Sequence, residues 1–202
     1  MKTRSIVVVL CFCSLLVPLA LFAQDKPKEQ GPPGMSNAEM EAMMKAMSPG
    51  EQHKHLARLA GDWTFTSKMW MAPGAPPSDS NGTMHADTVL DGRYVQSVWK
   101  GNMMGMAFEG HGTDGYDNLS KKYVSTWVDN MGTGILYSTG TCDNDGHKCE
   151  SKGSMIDPMT GKDSYMRSVI SWTNSDSFTM EMFGPDPSGK EFKWMEMSVK
   201  RK

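Results

Sequence analysis

The sequence predicts an all-β protein, built as a single antiparallel up-and-down β-barrel of about ten strands behind one or two short helices. From Gly61 onward, apolar residues recur at every second position, which is the period of a strand with one buried face. Turn-forming residues separate these segments, and no helical stretch between them is long enough for a parallel crossover. Closing such a meander removes its exposed edges, and the short hairpin turns disfavour a sandwich, which uses Greek-key connections, so a barrel is favoured.

Length and charge limit the other possibilities. The chain has 202 residues, and its 21 basic and 23 acidic side chains give a net charge of -2. This length suits one domain with short appendages, and the absence of a basic surplus argues against a nucleic-acid partner. Apolar residues make up 39% of the chain, enough for a globular core. The 20 methionines, 20 glycines and 11 prolines stand out, and the glycines and prolines favour a chain rich in turns.

Residues 1–23 have the layout of a secretory signal peptide. A short basic start with Lys2 and Arg4 precedes the apolar run 6–22, and Ala23 then precedes polar residues. We therefore expect a periplasmic or secreted protein with no membrane span after cleavage. An uncleaved membrane anchor is the alternative.

The segment before the barrel is predicted to contain a tether and two helices. Residues 24–34 are polar and rich in proline and glycine, which is typical of a flexible tether. Ser36 and Glu39 form a capping-box pattern, and the methionines at 40, 43, 44 and 47 follow as one apolar stripe. A second short helix is predicted over 49–60. The expected division is thus residues 24–47 for the tether and methionine-rich helix, and 48–202 for the barrel domain.

The barrel strands are predicted between clusters of turn residues such as Asp91-Gly92, Asp117-Asn118 and Asn174-Ser175-Asp176. The ten segments are 62–71, 82–90, 93–100, 106–115, 122–129, 134–142, 147–156, 164–172, 177–183 and 191–200.

Two cysteines outside the signal segment predict a disulfide. Cys142 and Cys149 flank Asp143-Asn144-Asp145-Gly146, a strong turn sequence. A hairpin at this turn would bring the two thiols opposite each other, and an oxidising compartment would favour their pairing. A structural zinc site is disfavoured because His147 is the only further ligand nearby.

Gly61-Asp62-Trp63 opens the first strand after a short helix and resembles the Gly-x-Trp entry of lipocalin-type barrels. In that family the tryptophan packs at the closed end beneath a basic residue of the last strand. The resemblance implies a structural role for Trp63, with Arg201 as the basic partner.

A second resemblance covers roughly residues 59–201. The segments that carry it include Leu90-Asp91-Gly92-Arg93-Tyr94, Gly115-Tyr116-Asp117-Asn118, Ser125-Thr126-Trp127-Val128-Asp129 and Asp157-Pro158-Met159-Thr160-Gly161-Lys162. Together they resemble a family of bacterial, often exported proteins that is catalogued as a domain of unknown function. This resemblance implies a barrel and no established activity, cofactor or catalytic residue.

A barrel of this size can enclose a small molecule. Ionisable side chains with apolar neighbours are candidates for the polar groups of such a site: Glu109, His111 and Arg167, with Trp127 and Tyr165 as aromatic candidates. Arg167 is expected to orient the polar end of an apolar ligand. Glu181 and Glu196 alternate with methionines, so they are predicted to point outward while the methionines point inward.

The predicted function is therefore an exported binding protein for a small, apolar ligand. One alternative is a methionine-rich protein that binds Cu(I), a metal suited to thioether ligands, or scavenges oxidants. Another is an enzyme that uses an ionisable pair inside the barrel, such as Arg167 with a glutamate. A third is an interaction module with a solidly packed interior. No catalytic triad, phosphate loop, cofactor motif or metal-ligand set is present in the sequence.

Overall fold

The computed structural model of the chain describes residues 34–157 and 161–202. Two helices, α1 (Asn37–Met47) and α2 (Glu51–Ala57), precede ten strands. The strands are β1 (Gly61–Met69), β2 (Ser78–Val89), β3 (Tyr94–Met103), β4 (Met106–Asp117), β5 (Lys122–Asp129), β6 (Leu136–Cys142), β7 (Lys148–Ile156), β8 (Asp163–Asn174), β9 (Ser177–Pro185) and β10 (Glu191–Arg201). The predicted signal peptide and most of the predicted tether lie outside the described residues.

The strands form a closed antiparallel barrel in which each strand pairs with its neighbours in sequence. β1 also pairs with β10, from Trp63 opposite Arg201 to Met69 opposite Met195, and this pairing closes the sheet. The predicted up-and-down barrel is thus confirmed, and closure excludes the sandwich. Because residues alternate between the two faces of each strand, every second side chain points into the barrel.

The two helices begin at different kinds of cap. At α1 the predicted capping box is present, since the Ser36 backbone N–H donates to Glu39 Oε2 (2.8 Å) and the Glu39 N–H donates to Ser36 Oγ (3.3 Å). At α2 the helix begins at Glu51, later than predicted, because extended Gly50 is the N-cap residue and its N–H donates to His53 Nδ1 (2.9 Å). None of the described helices is long and apolar enough to cross a membrane.

The chain divides into two compact units within α1, one ending at Met40 and the other comprising Glu41–Lys202, which holds the barrel. The largest fully buried side chains of the second unit are those of Trp63, Met84, Val95, Phe178 and Val199. Leu56 and Leu59 pack against this core from the segment before β1. We call this end of the barrel, where α2 contacts β3 and β4, the closed end.

The predicted disulfide between Cys142 and Cys149 is confirmed. The two cysteines are directly opposed on β6 and β7, next to the turn that joins these strands. The carbonyl of Gly146 in this turn accepts a hydrogen bond from the Arg58 guanidinium, which lies 4.8 Å from the Trp172 ring centroid. The disulfide therefore holds a turn that contacts the residues following α2.

Replacing Cys142 and Cys149 together with serine is expected to lower the free energy of unfolding by about 2 kcal/mol, because the bridge closes only a short loop. Urea denaturation followed by circular dichroism measures this change. Reduction of the wild-type protein with a thiol should reproduce it, and a double variant as stable as the oxidised protein would contradict the expectation.

Candidate functional site

The barrel encloses a cavity of about 410 Å³. Its walls are mainly thioether and aromatic. The methionines that line it are Met69, Met84, Met103, Met131, Met155, Met166, Met180, Met182, Met195 and Met197. The aromatic side chains are Phe65, Trp99, Phe108, Trp127, Phe178 and Trp194. A volume of this size lies within the range of small-molecule sites, so the interior is not solidly packed.

The cavity runs from the closed end toward the opposite end of the barrel. Leu59 and Phe178 line it near the closed end, whereas Met131, Gly132 and Gly134 line it in the connection between β5 and β6. These last three residues are exposed to solvent. The cavity is therefore accessible from the end of the barrel away from α2.

Serine hydroxyls supply most of the polar groups of the lining. They form three cross-strand hydrogen bonds, with Oγ–Oγ distances of 2.7, 2.6 and 2.8 Å, in the pairs Ser67–Ser80, Ser125–Ser138 and Ser151–Ser168. Ser97 Oγ accepts a hydrogen bond from the Trp99 indole (3.1 Å). These hydrogen bonds reduce the free-energy cost of burying the serine hydroxyls in an apolar interior.

Asp114 places a carboxyl group in this cavity. It lies on β4 between Val95 of β3 and Ser125 of β5, and its side chain belongs to the lining. Burial in these surroundings raises the pKa of the Asp114 carboxyl to about 6. Among the described residues, no side-chain hydrogen bond or ion pair engages this carboxyl. Asp114 is not among the site residues predicted from the sequence, although its position in phase with Gly110 and Gly112 on the inner face of β4 is a signal that indicates it.

Of the predicted ligand-binding residues, Trp127 lines the cavity. Its ring stacks on Phe108, with centroids 6.3 Å apart and planes inclined by 19°. The indole N–H donates to Asp129 Oδ2 (2.8 Å), while Asp129 Oδ1 accepts from the Met131 backbone N–H (2.9 Å). The ring is therefore held in a fixed orientation on the cavity wall.

Arg167 and Tyr165 lie on the outer face of β8, since Met166 and Ser168 between and beside them face the cavity. The Arg167 guanidinium donates to both carboxylate oxygens of Glu191, at 2.6 and 3.1 Å, and lies 4.0 Å from the Phe183 ring centroid. It holds the pKa of Glu191 below its usual range. The anionic partner of Arg167 is thus a protein carboxylate.

Glu109 and His111 also lie outside the barrel, on the outer face of β4. His111 Nε2 is 2.9 Å from Glu109 Oε1, and Lys100 Nζ is 3.2 Å from Glu109 Oε2. The hydrogen bond to His111 is the main reason that the pKa of Glu109 lies below its usual range, followed by that to Lys100. The structure therefore brings Glu109 and His111 together with each other, but not with Trp127 in the cavity.

Glu181 and Glu196 likewise point outward, where both carboxylates pair with Lys193. The methionines on either side of each glutamate line the cavity, as the alternation of the two strands predicts. The thioethers at these positions are therefore part of the ligand-accessible wall.

At the closed end, Arg201 lies over Trp63, with its guanidinium carbon 4.1 Å from the ring centroid. The same guanidinium donates to the backbone carbonyls of Ala60 (2.9 Å) and Arg58 (3.0 Å), and its Nε donates to Asp176 (3.0 Å). These contacts tie β10 to the segment between α2 and β1. This is the arrangement that the Gly-x-Trp resemblance implies.

Over residues 34–157 and 161–202, no three or more His, Cys, Asp or Glu side chains come together as a metal site. On α1, the side chains of Met43, Met44 and Met47 are exposed by 37%, 58% and 61%. Their stripe is thus open to solvent.

One solved protein structure has a similar fold. The crystal structure of Rv2717c from M. tuberculosis superimposes with a TM-score of 0.58 at 11% sequence identity, covering 77% of this chain and 99% of that one. At this identity the likeness shows a common fold alone. A redesigned β-barrel has a TM-score of 0.38 at 13% identity, covering 73% of this chain and 95% of that one.

A search of the curated proteins gave no significant match. The model of one family, described as "Protein of unknown function (DUF1579)", matches residues 48–201, which include α2 and the whole barrel. Because this match spans most of the chain, the protein belongs to the DUF1579 family.

Proposed function

We propose that this protein is an exported carrier that binds a small, predominantly apolar molecule inside its barrel. The observation that supports this proposal is the cavity of about 410 Å³, whose lining is dominated by methionine and aromatic side chains and which reaches solvent at one end. Thioether side chains adapt their shape to a bound molecule more readily than branched aliphatic ones. Such a wall suits a ligand without a fixed pattern of hydrogen bonds.

Apolar contact would supply most of the affinity. Transfer of about 200 Å² of apolar ligand surface from water into such a cavity is worth about 5 kcal/mol before the entropic cost of association. The paired serines can accept or donate one further hydrogen bond each, so they can accommodate a polar end of the ligand without being left unpaired in its absence.

Export is supported by two features. Residues 1–23 have the sequence pattern typical of a secretory signal peptide, and the Cys142–Cys149 disulfide is of the kind that persists in oxidising compartments. A carrier outside the cytoplasm would hold a poorly soluble molecule in an aqueous compartment.

A variant that fills the cavity tests the proposal. Ser138 lines the cavity on β6, and the exposed Thr139 beside it points outward, so Ser138→Phe and Thr139→Phe add the same kind of ring to opposite faces of one strand. Binding of the uncharged dye N-phenylnaphthylamine can be followed by energy transfer from the cavity tryptophans. We expect S138F to weaken dye binding at least about tenfold and T139F to leave it unchanged.

Circular dichroism and thermal unfolding show whether each variant is folded. Should S138F unfold, Ser168→Phe places the ring on another strand of the same cavity. Absence of dye binding to the wild-type protein, or equal binding by folded S138F, S168F and T139F, would contradict the carrier proposal.

A further inference from the structure

Asp114 is the feature of the cavity that apolar binding leaves unexplained. A carboxyl group is normally excluded from an interior of this kind unless it is paired. Asp114 is partly buried, and this burial is the one cause of its raised pKa, yet part of its surface remains free. Because Asp114 belongs to the cavity lining, that free surface faces the cavity.

The protein provides this carboxyl with no counter-ion in the described structure. Over residues 34–157 and 161–202, the cavity lining includes no lysine, arginine or histidine. The other carboxylate of the lining, Asp129, is already engaged by the Trp127 indole and the Met131 N–H. Asp114 is thus the acid whose hydrogen-bonding capacity is available to a ligand.

Few ionisable side chains lie near Asp114 on the strands and helix that pack around it. The adjacent inward-facing residues of β3, Val95 and Ser97, carry no ionisable group. On β4 and β5, Tyr116 and Tyr123 lie toward the closed end, with ring centroids 4.9 Å apart. From α2, His53 packs edge-on against Tyr116 (5.8 Å), and burial lowers the pKa of its imidazole. None of these groups is a fixed cation.

Resting on the carrier function proposed above, we infer that the ligand class is a hydrophobic amine whose ammonium group binds the Asp114 carboxylate. Its hydrocarbon part would lie along the methionine and aromatic walls. An ammonium group has three N–H donors. The Asp114 oxygens would accept hydrogen bonds from some of these donors. Ser125 is directly opposite Asp114 on β5, so its hydroxyl oxygen is placed to accept another.

An amine fits this site better than an alcohol or a fatty acid of equal length. An ionised carboxylate in apolar surroundings is stabilised by a cation, which offsets the cost of its desolvation. An alcohol donates one hydrogen bond but brings no charge, and a fatty acid would place a second negative charge beside the first. The predicted order of affinity is therefore amine, then alcohol, then carboxylate.

Competition against N-phenylnaphthylamine distinguishes these ligands. Octylamine, octanol and octanoate share one chain length and differ in the charge of the head group. At neutral pH we expect octylamine to displace the dye at least about tenfold more effectively than octanol. In Asp114→Asn this preference should disappear while displacement by octanol stays as in the wild type. Asp79→Asn, which removes an exposed carboxylate of β2, is the matched control and should retain the preference.

The pH dependence gives a second readout that needs no variant. Since the carboxylate form binds the ammonium group, the affinity for octylamine should fall about tenfold between pH 7 and pH 5, as Asp114 is protonated. The affinity for octanol should change little. Equal displacement by octylamine and octanol, or an octylamine affinity independent of pH, would overturn the role of Asp114. The carrier function would still stand if the dye binds. Loss of dye binding itself would overturn both.

Discussion

Replacing Trp63 with alanine is expected to lower the free energy of unfolding by about 4 kcal/mol. The Trp63 side chain is fully buried, and its ring contacts those of Trp172 and Phe178 edge-on at 6.0 and 5.4 Å. Its indole N–H donates to the Leu59 carbonyl (2.8 Å), and Arg201 covers its outer face. Truncation would leave a void at the closed end and remove the surface on which Arg201 lies.

Urea denaturation followed by far-ultraviolet circular dichroism measures this loss. Trp63→Phe keeps an aromatic ring and should cost about half as much, because it loses the indole hydrogen bond and only part of the packing. Tyr137→Ala is a control on the outer wall, where the ring is 55% exposed, and should change stability by less than about 1 kcal/mol. A W63A protein as stable as Y137A would show that the closed end does not depend on this ring.

Replacing Asp114 with asparagine is expected to stabilise the ligand-free protein by about 2–3 kcal/mol at neutral pH. Burial raises the folded-state pKa of this carboxyl to about 6, against an ordinary value of 3.8. A difference of this size corresponds to roughly 3 kcal/mol between the two protonation states. Asparagine has the same shape and cannot ionise, so it removes the cost of a desolvated charge.

The sign of the pH dependence follows from the raised pKa. Between about pH 4 and pH 6 the folded state binds more protons at Asp114 than the unfolded state does, so stability falls as the pH rises through this window. The stabilising effect of D114N should therefore be absent near pH 4 and complete above about pH 7. Denaturation midpoints at pH 4, 5, 6 and 7.5 test this, with Asp79→Asn as a control of equal charge change. A D114N effect that is the same at all four pH values would contradict a buried, titrating carboxyl.

Asp114 is expected to lower the stability of the barrel and to increase its affinity for a cationic ligand. An unpaired carboxyl lowers the stability of the empty barrel, and the same group would gain a favourable partner when a cation enters. A group with this balance is typical of functional sites, where local stability is given up for binding. The D114N protein should thus be more stable and less selective.

Much of the fold could be predicted from local patterns. The alternation after Gly61 and the turn sequences between segments placed ten strands close to their observed positions. Deviations arose where pairing extends a strand beyond its own pattern. For example, β2 begins at Ser78 rather than near residue 82, because Ser78 pairs with Met69 across the β1–β2 connection. The α2 helix begins at Glu51 rather than at residue 49, because Gly50 is its N-cap residue.

The candidate site could be predicted only in part. Period-two alternation assigns residues to two faces of a strand. In β9 and β10, methionines alternate with glutamates, and this contrast indicated that the methionine face points inward. For β8 the sequence offered no such contrast, since Arg167 has apolar neighbours on its own face. The structure shows that Glu191, which is distant in sequence, satisfies Arg167 on the outer wall.

By itself, the sequence determined the strand number, the disulfide, the cap of α1 and membership of a barrel family, because each depends on residues close together along the chain or on a pattern spread over it. Only the tertiary structure decided that the barrel is hollow and that Asp114 faces the hollow without a side-chain partner among the described residues. Both facts depend on how side chains from all ten strands share one enclosed volume. Whether that volume is filled, and which carboxyl is left unpaired in it, is a property of the closed sheet and of no single segment.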